Sequence, residues 1–352
     1  MSNWPQSSGY GGADISVPLN PMYGGILNRW CEMIKTIINR LLQVIPILLV
    51  VVTMTFILTR MVPGDPAATM LGPQASAEEI AKLRDQLGLN DSMIKQYFSY
   101  LGDLLRGNFG KSYSYNKPVI DLILDKLPNT LLISITSLVI AVFIAVPIGI
   151  ISAVKQYSIF DYVAMVLALV GVSMPIFWLG LMLVLVFSVN LGWLPSLGMG
   201  SMDKGLWDVI VHMILPVSCL ATIPAATFAR ITRSSMLEVI NNDFIKSLRA
   251  RGIKEWRVVF LHGLKNALPP IVTVFGLQLA HAFTGAILTE TIFAWPGMGT
   301  LIVGAVENRD YVLIQGAVLF TAMVFVFVNL FVDMAYMVIN PRVTYEGTKG
   351  GA

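Results

Sequence analysis

The stretch ARITRSSMLEVINNDFIKSLRARGIKEWRVVFLHGLKNALPP, residues 229–270, decides how the chain is read. From Arg230 to Lys265 it carries eight basic residues (Arg230, Arg233, Lys246, Arg249, Arg251, Lys254, Arg257, Lys265) against three acids (Glu238, Asp243, Glu255). It lies between two apolar runs long enough to cross a bilayer. A basic loop between two spans is expected on the cytosolic side. Ile240, Phe244 and Leu248 recur every four residues, with Leu237 beside them, which predicts an amphipathic helix. Gly252 is placed to end it. A second patterned segment (Trp256, Val259, Phe260, Leu264) leads into Pro269. The expected geometry is helix, glycine, helix, span, with a short transverse helix lying under the membrane.

Composition supports a bilayer setting. Of 352 residues, 55% are hydrophobic and 13% charged, with mean hydropathy +0.71. Soluble domains carry about 25% charged residues. The net charge of +3 is concentrated in the basic loop, which reads as membrane orientation and lipid contact rather than nucleic-acid binding. Two distant cysteines (Cys31, Cys219) and three scattered histidines (His212, His262, His281) form no metal-binding spacing, so no metal site is expected. No nucleophile motif occurs either, and no catalytic residue is assigned.

Working outward, residues 1–32 read as a cytosolic extension, partly disordered and rich in Gly, Ser, Pro and Asn. Residues 33–61 are a lead-in and a first span, uncharged from Leu41 to Thr59. A secretory signal is disfavoured because no small-residue cleavage site follows and five more spans do. Arg60 is expected to snorkel to the headgroups.

Residues 62–128 mix seven basic and eight acidic residues and read as an extracytoplasmic helical subdomain. Ser76 and Glu79 form a capping box for one helix, which Gly88 ends. Asn90 or Asp91 caps a second, whose Ile94, Tyr97, Phe98, Leu101 and Leu105 share a face until Gly107.

Residues 129–340 hold the remaining five spans, with the basic loop at 230–268, and 341–352 is a cytosolic tail. The second span lies within 127–154, with Pro128 in its first turn and Pro147 expected to kink it. A third runs from Tyr162 to about Leu191, a fourth covers 209–229, a fifth 266–289 and a sixth 312–339. Six spans put both termini on one side, and the short-loop charges put that side in the cytosol. The fold class is an all-α integral membrane protein with six transmembrane helices, an outer amphipathic subdomain and a cytosolic helix in the basic loop. A phosphate-binding G-x-x-x-x-G-K-[ST] is absent from the sequence.

Several stretches together carry a resemblance. They are Met61-Val62-Pro63-Gly64-Asp65-Pro66, Leu83-Arg84-Asp85-Gln86-Leu87-Gly88-Leu89, Gln96-Tyr97, Gly107-Asn108-Phe109-Gly110-Lys111-Ser112 and Leu127-Pro128-Asn129-Thr130-Leu131. Farther on come Pro175-Ile176-Phe177-Trp178, Gly192-Trp193-Leu194-Pro195, Ala229 to Met236, Glu290-Thr291-Ile292-Phe293 with Trp295-Pro296-Gly297, and Arg309-Asp310-Tyr311. In this order and spacing, over roughly 33–345, the chain resembles permease subunits of ATP-binding-cassette importers, in the dipeptide/oligopeptide branch. Two features depart from the general family. Lys246-Ser247-Leu248 replaces Glu-Ala-Ala before Gly252, and Leu268-Pro269 lies farther from that glycine; both departures look like this branch. Asn108 stands where an acid is usual.

The resemblance implies a type I importer permease working by alternating access in a prokaryotic cytoplasmic membrane. Its partners would be a second similar permease as a heterodimer, two ATPase subunits holding ATP and Mg, and an extracytoplasmic solute-binding protein. No cofactor is expected on this chain. Glu238, Asp243, Phe244, Arg249, Arg251 and Gly252 would form the coupling element that docks on an ATPase. Phe244 would be its apolar anchor, and the arginines would meet ATPase acids. Gln278 and His281, three apart on the fifth span, and Ser173 and Pro175 on the third are pathway candidates, with helix packing the competing role. Peptides are the expected solute; nickel complexes and oligosaccharides are the branch's other cargoes. An ion-coupled carrier would show paired carboxylates within the spans and inverted repeats, and neither is seen in the sequence. An intramembrane hydrolase would need a nucleophile beside a base, which the spacing does not offer.

Overall fold

The computed structural model describes residues 21–61, 65–72, 74–86 and 88–339. The expected extension at 1–20, Val62-Pro63-Gly64 and the tail 341–352 lie outside these residues. Two units are distinguished, 1–43 and 44–352. The first contributes the N-terminal part of helix α1 (Pro21–Met61); the second carries everything else.

Between the first two spans lie α2 (Pro66–Leu71), α3 (Ala77–Gln86) and α4 (Met93–Leu105). Asp65 caps α2 by accepting from Ala67 N–H, and Arg84 of α3 pairs with it at 2.8 Å. The capping box forms: Ser76 N–H donates to Glu79 at 2.9 Å, and Glu79 N–H donates back to the Ser76 hydroxyl. Ser92, not Asn90 or Asp91, caps α4 by accepting from Lys95 N–H. Asn90 and Asp91 instead bond to Asp85 and Lys95.

The membrane part consists of α5 (Val119–Val154), α6 (Ile159–Ser173), α7 (Ile176–Leu183) with a π-helical continuation to Asn190, and α8 (Leu206–Ile240). It continues through α9 (Asp243–Ala250), a π-helical stretch at Arg257–Gly263, α10 (Leu264–Ile292), α11 (Met298–Glu307) and α12 (Tyr311–Ile339). Among the described residues, five helices are long and apolar enough to cross a membrane. The pair α6 and α7 makes a sixth if counted as one broken span, bent by 107°.

Three expectations change. Helix α5 starts at Val119, so Pro128 is interior, and the helix runs on through Pro128 and Pro147. The third span is not one rod: Pro175 cannot donate to the preceding turn, and the chain breaks at Met174-Pro175. Helix α8 does not stop near Ala229 but continues eleven residues to Ile240.

Helix α8 is the axis. It packs on α5, α6, α7 and α10. The approach to α5 is closest at Gly149, where a Cβ would lie 2.7 Å from both the Ala229 carbonyl oxygen and Thr232 Cβ. Around it Leu138, Ala141, Ala145, Ala221, Phe228 and Ala229 form a buried cluster. Small residues let two backbones approach, and dispersion contacts then hold membrane helices together.

Toward the start of α5, polar joints add to apolar packing of Val119, Leu122 and Ile123 on Met298, Leu301 and Leu313. Glu290, fully buried, accepts from the Thr130 hydroxyl and from Gly299 N–H, each at 2.5 Å, and so caps the start of α11. Met298 N–H donates to Thr130, Trp295 Nε1–H donates to the Asn129 carbonyl, and the Asn129 amide donates to the Pro296 carbonyl. Asp310 caps α12 through Leu313 N–H and draws in the Ser112 hydroxyl and Ser114 N–H of the outer loop. Gly299 has no room for a side chain; a Cβ would stand 2.5 Å from Ile287 Cα.

Glu290→Ala, which strands a buried N–H, should cost about 1–3 kcal/mol. Gly299→Ala should also destabilise, since the atom it meets is backbone. Thermal unfolding of purified protein followed by size-exclusion chromatography should show both melting below wild type. Unchanged melting temperatures would remove Glu290 as the anchor of α11.

Candidate functional site

The coupling candidates lie where α8 ends. The helix closes at Ile240, and Asn241 and Asn242 turn the chain into α9, which has eight residues. Asn242 N–H donates to the Val239 carbonyl, so the turn is hydrogen-bonded to the helix above it. The expected stripe of Leu237, Ile240, Phe244 and Leu248 is thereby divided between two helices. Ile245, not Phe244, is the fully buried residue of α9, and it holds the helix to its own chain. Phe244, the residue before it, is 37% exposed.

The charged residues separate into two groups. Glu238 and Arg251 are exposed and form no ion pair among the described residues. Asp243 pairs with Lys246 within α9 at 2.8 Å. Arg249 is engaged within the chain: its guanidinium donates to both Glu255 oxygens, at 2.6 and 3.1 Å. This pair spans Gly252, whose φ of +73° is the left-handed conformation that favours glycine. The Arg249 guanidinium holds the Glu255 carboxyl below the usual carboxylate range. Gly252, Arg249 and Glu255 therefore make a closed turn that returns the chain toward α10. Both side chains are well exposed, so the pair sets shape more than stability.

Above this turn is an ion pair that the sequence alone did not reveal. Asp161, in the first turn of α6, is 1% exposed. Arg233 of α8 donates to it twice, at 2.5 and 2.7 Å, and Tyr157 N–H donates a third bond. Ser158 caps α6 by accepting from Asp161 N–H. The arginine two turns before the end of α8 thus clasps the start of α6. The two residues are 72 positions apart, and no local pattern links them.

The four pathway candidates fall in two places. Ser173 donates to the Leu169 carbonyl, and with Pro175 it lines a groove of about 550 Å³ at the α6–α7 break, walled by Leu169, Met174, Phe177 and Trp178. Gln278 is half-buried and His281 exposed on α10, with the His281 ring edge-on to Phe325 of α12 at 6.2 Å. Neither lines that groove. Among the described residues, no three metal-ligating side chains lie together.

The family described as the binding-protein-dependent transport system inner membrane component matches residues 145–345, and its N-terminal counterpart matches 33–136. The chain is 45% identical over 334 residues to the dipeptide transport system permease protein DppB of Alkalihalophilus pseudofirmus, covering 89% of this chain and 100% of that one. It is 41% identical to the oligopeptide transport system permease protein AppB of Bacillus subtilis, covering 88% and 99%. It is also 41% identical to the glutathione transport system permease protein GsiC of Escherichia coli, covering 89% and 100%. Among solved structures, the inward-facing MetNI methionine ABC transporter matches with a TM-score of 0.50 at 17% identity, over 63% of this chain and 97% of that chain, a likeness of fold. With helices fit to cross a bilayer, a short helix hung below the central one, and matches along nearly the whole chain, the protein belongs to the inner membrane components of binding-protein-dependent transport systems, as a multi-pass permease subunit of an ATP-binding-cassette importer.

Proposed function

We propose that this subunit moves peptides across a prokaryotic cytoplasmic membrane by alternating access, with α9 as the surface on which an ATPase subunit acts. The peptide reading is supported by relatives named for dipeptide, oligopeptide and glutathione transport. The functional complex pairs this chain with a second similar permease, two ATPase subunits that hold ATP and Mg, and an extracytoplasmic solute-binding protein. Both termini and α9 face the cytosol, in line with the basic 230–265 segment.

One observation carries the coupling assignment. Helix α9 is anchored by buried Ile245 and leaves Phe244 part-exposed, with exposed Glu238 at the end of α8 before it and exposed Arg251 just after it. An exposed aromatic ringed by charges is what a partner pocket engages. The closed Gly252 turn keeps that surface in one shape. Motion received there enters α8 directly, and the Arg233–Asp161 clasp carries it to α6, which leads to the break at Pro175. Switching a two-state carrier from 1:99 to 99:1 takes about 5.5 kcal/mol of differential binding. A linkage of helices and bonded turns can deliver such a difference without slack.

Two measurements bear on this. In membranes containing the whole transporter, Phe244→Asp and Gly252→Pro should stop the ATPase subunits from co-purifying and abolish uptake; Pro cannot adopt the φ of Gly252. Retained co-purification with uptake would contradict the docking role of α9. Arg233→Lys keeps the charge but loses the two-pronged bond. It should leave co-purification intact while lowering uptake about tenfold. Uptake equal to wild type would show that the clasp transmits nothing.

A further inference from the structure

Helix α4 is divided lengthwise into three sectors. Gln96, Tyr97 and Tyr100 meet α1: Gln96 accepts from Arg60 at 3.1 Å, Tyr97 bonds the Thr53 hydroxyl at 2.8 Å, and both tyrosine rings lie against Phe56. Lys95, Ser99 and Asp103 make a polar sector on another side. Between these two sectors runs an apolar stripe of Ile94, Phe98, Leu101 and Leu105. Ile94 is 71% exposed, Phe98 64% and Leu105 83%. No residue of α4 is fully buried. A helix of a water-bathed subdomain would turn such a stripe inward.

The contact on α1 gives the depth. Thr53 is eight residues before Met61, the end of the apolar span, which places it about 12 Å along the helix axis from that end. Phe56 and Arg60 lie on the same face. Arg60 stacks on Phe56 at 4.6 Å and bonds to Gln96, so it is held by α4 instead of reaching freely to headgroups. The contacts involve little more than one turn of α4, as for a helix that crosses α1 instead of running beside it. The neighbouring sector of α1 carries exposed, apolar Met54, Ile57, Leu58 and Met61. The stripe on α4 therefore adjoins an exposed apolar surface of a membrane-length helix, at a level before the end of the span.

We propose that α4 is a membrane-embedded interfacial helix, lying across α1 with Ile94, Phe98 and Leu105 in the acyl region of the leaflet at the Met61 end. Interfacial helices seat their apolar face about 5–10 Å into the headgroup–acyl boundary, with the polar face toward water. Here the polar sector carries the Asp91–Lys95 ion pair, and the tyrosines occupy the level where interfacial aromatics collect. The occupant of the stripe is lipid, because the stripe is uncharged and continues the lipid-facing side of α1. The proposal depends on α1 spanning the bilayer, not on the solute or the ATPase docking site.

The test is nitroxide scanning in membranes containing the whole transporter. Single cysteines at positions 94, 95, 98, 99, 103 and 105 are introduced with Cys31 and Cys219 replaced, and uptake confirms that each labelled variant is folded. Collision with oxygen, which partitions into lipid, is compared with collision with a water-soluble nickel chelate. Labels at Ile94, Phe98 and Leu105 should be relaxed by oxygen at least about fivefold more than by nickel, and labels at Lys95, Ser99 and Asp103 should show the reverse. Equal nickel access at 98 and 99 would place the stripe in water. Exclusion of both reagents at 98 would mean a protein covers it. Either result overturns the proposal. If the Phe98 variant loses uptake, the Leu105 and Ile94 labels decide it alone.

Discussion

The close approach of α5 and α8 is the constraint on which the rest depends. Gly149 leaves space for the Ala229 carbonyl and for Thr232, and no larger residue fits without moving backbone. With that contact made, α8 is held along its length by α5, and α6, α7 and α10 complete its enclosure. A helix packed on several sides can continue past the apolar core as a rod. Its last turns, through Glu238 to Ile240, then present α9 at a fixed distance and direction from the membrane part. The same packing buries the Asp161 carboxylate, and Arg233, itself part-exposed, neutralises it. Arg233 meets both Asp161 oxygens, and removing it would leave the buried carboxylate uncompensated.

Much of the fold is legible in the apolar runs, because a bilayer demands uninterrupted stretches of about 20 residues. What the runs do not reveal is where tertiary contacts override local pattern. Arg230 and Arg233 look like the start of a polar loop, yet helix α8 passes through both. The carboxylate that neutralises Arg233 is 72 residues earlier. Ser92 outcompetes Asn90 and Asp91 as a cap because those two are engaged by Asp85 and Lys95. The break at Pro175 is signalled by proline itself, but its 107° bend is set by what α7 packs against.

The short motifs gain physical meaning as matching halves of buried joints. Asn129-Thr130 and Glu290 with Trp295-Pro296-Gly297 look unrelated in sequence, yet they exchange hydrogen bonds that seat α11. Ser112 and Asp310 do the same for α12, and Asp65 and Arg84 for α2 and α3. In the segment proposed for coupling, the glycine expected to end the helix is left-handed, at Gly252. The sequence reading left both Phe244 and Arg249 for a partner, whereas Arg249, though exposed, is paired with Glu255 of its own chain. An i, i+4 stripe cannot foresee the two-residue turn at Asn241-Asn242 that divides it, nor that Ile245, outside the stripe, is the buried residue of α9.

In the proposed coupling, α9 works through a rigid joint into α8, and that joint is short enough to break without touching either end. Two glycines inserted between Asn241 and Asn242 leave Ile245, Phe244 and the Gly252 turn unchanged in sequence while adding freedom to the connection. In proteoliposomes of the whole transporter, peptide uptake and ATP hydrolysis should be measured together. The account predicts that hydrolysis and complex assembly persist while uptake per ATP falls by about tenfold or more. Uptake per ATP equal to wild type would contradict it, because a loose joint would then transmit the stroke as well as a stiff one.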